Sequence, residues 1–135
     1  MPTEIEDLCD TIEDCYEFTL SYAARGLTTD EGSDAGRQLR EKLATALVAI
    51  GGLEAGCRAT AQQLEPAQTG KYEAFIELLS RDAKNSSAMV GLVLAQPAIS
   101  SQLIDNLNAS IHLRALLTDL FVITEIVKAE QAKTS

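Results

Sequence analysis

The stretch that decides the fold class of this chain is IHLRALLTDLFVITEIV, residues 111–127. Its apolar residues recur at spacings of three and four, which is typical of an α-helix. They cover more of the helix circumference than the single stripe that a bundle member needs, so this helix should be buried on two sides. We expect it to pack across a dimer interface through Leu113, Leu116, Leu117, Leu120, Phe121 and Val127. The alternative is that it lines a cavity for a small apolar ligand.

Three further stretches show the same periodicity, near residues 3–25, 33–65 and 69–96, and the helix that contains residues 111–127 should span 97–131. Thr3 and Glu6 form a capping box at the start of the first helix, and Gly26 is suited to its end. Pro97 is suited to the first turn of the fourth helix. No strand pattern competes, and a chain of 135 residues fits one domain. We therefore predict an all-α fold, an antiparallel up-down-up-down four-helix bundle in a single domain over residues 1–135, associating into a dimer.

The surplus negative charge lies in the first quarter of the chain. Residues 1–34 hold ten carboxylates and one cation, Arg25, whereas residues 35–135 hold ten acids and ten bases, for a net charge of -9. Such a surface repels the phosphates of nucleic acid, so we expect no nucleic-acid partner. Within helix one, spacings of four, three and four place the acids on a stripe opposite the apolar stripe. We predict that a basic protein partner docks on Glu6, Asp10, Glu13, Asp14 and Glu17.

The competing interpretation of helix one is a solvated face that is neutralised within the chain. Carboxylates three or four residues apart on a helix repel one another by a few tenths of a kcal/mol per pair, so some compensation is expected. Arg37 and Arg40 begin helix two and would lie near the end of helix one in an antiparallel hairpin, where they could neutralise Glu17. A divalent-metal site is disfavoured, because carboxylates on one straight helix cannot converge on one ion.

Three glycines in predicted helix two, Gly51, Gly52 and Gly56, need an explanation. In a helix interior they cost roughly 2–3 kcal/mol together relative to alanine. We expect Gly52 and Gly56 to lie on a strip of small residues that lets another helix approach closely. The alternative is a kink at Gly51 and Gly52 that divides the segment into two helices.

Residues for metal or catalytic chemistry are sparse and scattered. Cys9, Cys15 and Cys57 include no Cys-x-x-Cys pair, and a zinc site would need ligands from three different helices. The single histidine, His112, follows Ala109 at a spacing of three, which excludes the Glu-x-x-His pattern of di-iron bundles. Phosphate-binding glycine loops and nucleophile elbows are also missing. We predict no catalytic residue, no metal and no cofactor.

The first residues, MPTEIEDLCD, lack the basic and apolar regions of a secretory signal. The longest uncharged run, residues 85–104, is interrupted by Pro97 and several polar residues, so we expect no membrane-spanning helix. Because nothing marks secretion, we expect a cytoplasmic location. The odd number of cysteines favours reduced thiols.

The function that these observations favour is a non-enzymatic interaction or regulatory protein. It would self-associate and dock a cationic partner through acidic helix one. The alternative is a bundle that binds a small apolar ligand between predicted helices three and four, as a sensor or carrier. Enzymatic activity ranks third.

Overall fold

The computed structural model describes residues 2–64 and 69–134 of the 135-residue chain. These residues form six α-helices and no strand: α1 Glu4–Ala23, α2 Asp34–Gly51, α3 Leu53–Gln63, α4 Thr69–Leu94, α5 Ser101–Asn108 and α6 Ile111–Thr134. The predicted all-α class is confirmed. The predicted four-helix bundle is not confirmed, because the second and fourth predicted helices are each divided in two.

The first division lies at Gly52, where the continuous helix predicted for residues 33–65 is wrong. Gly52 closes α2 by donating its N–H to the carbonyl of Ala49 at 3.0 Å, and its own carbonyl accepts from Gly56 at 2.9 Å to open α3. The kink at Gly51 and Gly52, considered as the alternative, is therefore correct. The predicted end of this segment near residue 65 lies outside the described residues.

The second division shows that the helix predicted for residues 97–131 is also wrong in its extent. Pro97 lies in the turn after α4, and a proline disfavours the helical conformation of the residue before it. The next helix starts only at Ser100, whose hydroxyl caps α5 by accepting the Leu103 N–H at 3.0 Å. A second serine, Ser110, accepts the His112 N–H at 3.2 Å where α6 begins.

The capping box predicted at the start of α1 and the glycine predicted at its end are both confirmed. The Thr3 hydroxyl accepts from the Glu6 N–H while the Glu6 carboxylate accepts from the Thr3 N–H, so both halves of the capping box are present. Gly26 follows the helix with φ of +68°, a left-handed conformation that favours glycine. The start and end of α1 were therefore predictable from local sequence.

The core is formed where α1 and α4 each pack against both divided pairs, α2 with α3 and α5 with α6. Each helix turns one apolar face inwards, as the spacings of three and four require. The largest fully buried side chains are Tyr22, Ile5, Leu39, Leu43, Leu53, Leu79, Ile99, Ile104, Leu116, Leu120, Val127 and Cys57. The long stretch of α6 therefore finds its partners within the same chain.

A buried ion pair fastens the loop after α1 to the turn after α4. Asp30 is only 6% exposed and accepts hydrogen bonds from Arg40 Nε at 2.5 Å and from the Ile99 amide at 2.7 Å. The Arg40 guanidinium also donates to the carbonyls of Leu94 at 3.1 Å and Gln96 at 2.9 Å. The hydrogen bond from Arg40, with that from Ile99, holds the pKa of Asp30 below its ordinary value although burial opposes this shift.

Close backbone contacts complete this end of the molecule. Gly36 lies in the first turn of α2, where a Cβ atom would collide with the backbone carbonyl of Asp30. The Tyr22 hydroxyl donates to the Ile99 carbonyl at 2.7 Å, and the Ser101 hydroxyl donates to the Tyr22 carbonyl at 2.7 Å. These bonds hold the end of α1 against the start of α5.

Candidate functional site

The outer face of α1 carries the acidic stripe. Its opposite face is buried against the neighbouring helices through Ile5, Cys9, Ile12, Cys15, Thr19 and Tyr22. Because a helix repeats every 3.6 residues, Asp10, Asp14 and Glu17 then fall on the solvent side, and all three are exposed. The structure thus places these three predicted partner-binding residues together on one accessible surface.

The other two predicted partner-binding residues, Glu6 and Glu13, are half-buried and already engaged. Glu6 accepts the Thr3 N–H at 3.0 Å in the capping box. Glu13 accepts the thiol of Cys9 at 3.4 Å. Asp10, Asp14 and Glu17 are therefore the carboxylates of α1 best placed for a partner.

One cation from α2 reaches this stripe. Lys42 Nζ lies 2.6 Å from the Asp14 carboxylate, and it also lies over the Phe18 ring, 5.9 Å from its centre. The hydrogen bond to Asp14 raises the pKa of Lys42, so the lysine stays charged. An open groove of about 190 Å³ adjoins this ion pair, lined by Thr11, Asp14, Cys15, Glu41, Lys42 and Thr45.

The predicted neutralisation of Glu17 by Arg37 and Arg40 is wrong. Arg37 pairs with Asp34 at 2.6 Å, one turn away on the same helix, and Arg40 pairs with buried Asp30. The loop before α2 supplies Asp30 and the first residue of α2 is Asp34, so both arginines pair with carboxylates near the start of their own helix and not with α1. Among the described residues, Glu17 makes no ion pair.

Gly52 and Gly56, the glycines predicted for close helix packing, lie near Leu8 of α1. A Cβ atom at Gly56 would lie 2.7 Å from Leu8 Cδ1, which is closer than carbon atoms approach in proteins. At Gly52 the nearest Leu8 atom would lie 3.8 Å away, an ordinary contact distance. Gly56 thus allows α3 to pack closely against α1, whereas Gly52 mainly serves the break between α2 and α3.

Most residues predicted for self-association lie in the core of the single chain. Leu113, Leu116, Leu117, Leu120 and Val127 are all at most 8% exposed, and of the predicted set only Phe121 is at the surface, at 51%. The assumption behind this prediction was that a bundle offers α6 only one side to bury. In the structure α6 packs on α4, α1 and α5, so these five residues have no surface left for a second copy.

Apolar residues other than those predicted for self-association are exposed on α4 and α6. Leu78, Val122 and Ile126 are 40–47% exposed. Of these three residues, Ile126 lines an open groove of about 120 Å³, together with Lys71, Tyr72, Phe75 and Ile123. We call Leu78, Val122 and Ile126 the α4–α6 apolar patch.

The three thiols are buried and free. Burial raises the pKa of Cys9 to about 12 and the pKa values of Cys15 and Cys57 to about 11. A thiol, unlike a thiolate, is a poor nucleophile and a poor metal ligand. Within residues 2–64 and 69–134, no group of three or more His, Cys, Asp or Glu side chains is arranged to hold a metal ion.

Two buried polar side chains were missed by sequence reasoning. The Asn108 amide donor Nδ2 and the Asp119 oxygen Oδ2 are buried without a hydrogen-bond partner among the described residues. The burial of Asp119 could have been predicted from the sequence, because this acid lies inside the apolar stretch 111–127, between the core positions Leu116 and Ile123. Asn108 precedes the break between α5 and α6, which was itself not predicted.

No helix in the described part of the chain combines the length and the apolar character needed to cross a membrane. Comparison with protein-family models, with curated proteins and with solved structures finds no match to this chain. The function must therefore be argued from the geometry of the surfaces described above.

Proposed function

We propose that this protein is a non-enzymatic helical interaction protein that docks a cationic protein partner on the outer face of α1. The observation that carries the proposal is the exposed stripe of Asp10, Asp14 and Glu17, of which only Asp14 has an ion-pair partner among the described residues. The cations expected to neutralise the stripe from within are bound to Asp34 and Asp30 instead.

The electrostatics of the stripe favour binding of a positively charged helix or segment. Like charges three or four residues apart on a helix destabilise it by a few tenths of a kcal/mol per pair, and a partner's cations would relieve this repulsion. Exposed charges also accelerate association with an oppositely charged partner, an effect that salt screens. The positive charge of Lys42, which pairs with Asp14, distinguishes this surface from a uniformly acidic face.

The experiment compares two double variants that make the same change in net charge. Asp10→Lys with Glu17→Lys reverses charge on the stripe, whereas Glu77→Lys with Glu125→Lys reverses exposed charges on α4 and α6. The probe is a synthetic helical peptide with lysines every third or fourth residue, and binding is measured by calorimetry at about 0.15 M salt. We expect the stripe variant to lose binding and the control to keep it. Equal loss in both variants would mean that only net charge matters and would refute a specific site on α1.

We further propose that the protein forms a homodimer through the α4–α6 apolar patch. The support is that Leu78, Val122 and Ile126 leave apolar surface accessible on α4 and α6, and exposed apolar surface commonly marks protein interfaces. Light scattering during size exclusion tests it. Leu78→Glu with Val122→Glu should give the mass of one chain, whereas the control Val48→Glu, at an exposed site on α2, should keep the wild-type mass. A wild-type mass of one chain at every concentration would refute the dimer.

The second candidate function, binding of a small apolar ligand, is favoured by the groove of about 120 Å³ between α4 and α6. It lies between the third and fourth of the originally predicted helices, where the ligand was expected. The core cavity beside Asn108, in contrast, has a volume of only about 20 Å³, enough for one water molecule. Native mass spectrometry of protein purified from cells would detect a retained ligand, and Phe75→Ala should release it.

A further inference from the structure

Asp119 is a carboxylic acid inside the apolar contact between α4 and α6. Only 8% of it is exposed, and its Oδ2 atom makes no hydrogen bond among the described residues. On α6 it lies three residues after Leu116 and four before Ile123, both of which belong to the core. Asp82 of α4 is half-buried, and its carboxyl group interacts with that of Asp119.

Neither of these two acids takes part in an ion pair among the described residues. The ion pairs of this part of the chain involve other side chains. The helices α4, α1 and α5 all pack against α6, and among the described residues Asp82 of α4 is the charged group that acts on Asp119. On the same helix pair, the Ser86 hydroxyl donates a hydrogen bond to the His112 carbonyl at 3.0 Å.

Two ionised carboxylates are unfavourable together in such a place. An ionised Asp119 would lose hydration without gaining a cation, and the two charges would repel each other. If Asp119 keeps its proton, its O–H can donate to the Asp82 carboxylate and the pair carries one charge instead of two. The arrangement therefore favours the protonated form of Asp119.

We propose that Asp119 holds a proton and donates it in a hydrogen bond to Asp82, that this bond holds α6 against α4, and that loss of the proton at higher pH weakens the contact. This inference concerns the inner side of the α4–α6 pair and is independent of partner docking on α1.

The direction of the pH dependence follows from the folded and unfolded states. Burial, together with the hydrogen bond and the negative charge of Asp82, raises the pKa of Asp119 from 3.8 to about 7. A group whose pKa is higher in the folded state stabilises the protein fully below its unfolded pKa, and this stabilisation is lost as the pH rises to the folded pKa. One proton changes the unfolding constant by at most about tenfold per pH unit.

The range between pH 5 and pH 8 isolates this group. The pKa values of Asp30 and Asp34 are lowered from 3.8, so their effects appear at more acidic pH. The pKa values of the three thiols are raised from 9.0, so their effects appear at more alkaline pH. A fall in stability between pH 5 and pH 7 thus reports on Asp119.

The experiment is urea unfolding of the full chain at pH 5, 6, 7 and 8. For the wild type we expect the unfolding constant to rise from pH 5 to pH 7, by up to about a hundredfold for one proton, and then to level off. Asp119→Asn keeps the shape of the protonated acid and can donate to Asp82, so its stability should change much less. Asp105→Asn, at an exposed acid on α5, should follow the wild type. Parallel curves for wild type and Asp119→Asn would overturn the proposal.

Two measurements keep the proposal testable if Asp119→Asn does not fold. Carbon-13 NMR of the wild-type aspartate carboxyl groups should show one that titrates near pH 7, with a lower midpoint in Asp82→Asn. An aspartate set that titrates entirely below pH 5 would overturn the proton site.

Hydrogen exchange of the backbone amides around Leu116 and Ile123 gives the second measurement. Between pH 5 and pH 8 the exchange rates of these amides should increase by more than the intrinsic pH dependence of exchange predicts. Protection that follows the intrinsic rates alone would refute the proposed weakening of the α4–α6 contact.

Discussion

Replacing Arg40 with alanine should destabilise the protein far more than replacing Arg37, although both arginines lie in α2 and both pair with an aspartate. The Arg37–Asp34 pair is 75% and 72% exposed, whereas the Arg40–Asp30 pair is 33% and 6% exposed. Arg40 also donates to the carbonyls of Leu94 and Gln96, where α4 ends. Removing its side chain leaves a buried carboxylate without its cation.

The expected magnitudes follow from this difference in burial. Breaking a buried ion pair by removing one partner costs about 3–5 kcal/mol, and the partial exposure of Arg40 places this case near the lower end. An exposed pair contributes about 0–1 kcal/mol, so Arg37→Ala should lower the free energy of unfolding by no more than that. Because the urea dependence of small proteins is about 1–3 kcal/mol per M, a loss of about 3 kcal/mol in Arg40→Ala should lower the urea midpoint by about 1–3 M.

The assay is urea unfolding followed by circular dichroism of the helical signal, at pH 6 for all variants. The slope of the transition should stay unchanged, so that the midpoint shift reports stability alone. Equal midpoints for Arg40→Ala and Arg37→Ala would refute the reasoning, because they would show that Asp30 is hydrated when Arg40 is absent. Asp30→Asn combined with Arg40→Ala gives a further check, since removing the buried charge should recover part of the loss.

Two further predictions concern glycine packing and salt. Gly56→Leu should destabilise by about 1–3 kcal/mol in thermal melts because its Cβ meets Leu8 at 2.7 Å, whereas Gly51→Ala, with no atom near the new Cβ, should stabilise by up to about 1 kcal/mol; a more stable Gly56→Leu would contradict the close contact. Sodium chloride up to about 0.3 M should raise the melting temperature by screening the repulsion among Asp10, Asp14 and Glu17, and Asp10→Lys with Glu17→Lys should reduce this rise. A falling melting temperature would show that attractive ion pairs dominate.

The sequence predicts a helix and its limits correctly where the helix is continuous. α1 and α4 begin and end close to their predicted limits because a capping box, a glycine and a proline mark them locally. The breaks at Gly52 and around Ser110 were harder, since the apolar spacing of three and four continues across both of them. At the second break, the Ser110 hydroxyl accepts the His112 N–H where α6 begins, and this serine does not stand out in the sequence. At Gly52 no side chain of the described residues caps α3, and only the glycines indicate the break.

The candidate site was predictable in position but not in its pairing. The acidic stripe follows from the spacing of residues on α1, and its exposure follows from the buried face opposite. Which cation meets which acid depends on the path of the loop before α2, and no local pattern encodes that path. Asp30 therefore takes Arg40, and Lys42 rather than an arginine reaches the stripe.

Asp30 and Asp119 show how the fold gives opposite properties to the same side chain. Both are buried in the described structure, yet the hydrogen bond from Arg40 lowers the pKa of Asp30, while burial and the neighbouring Asp82 raise the pKa of Asp119 to about 7. Asp30 adds stability that is lost as the pH falls below about 3.8, and Asp119 adds stability that is lost as the pH rises from about 3.8 to 7. These two groups together favour the folded state most strongly near pH 4. The end of the molecule held by Arg40 should therefore keep its structure at neutral pH, while the contact between α4 and α6 loosens.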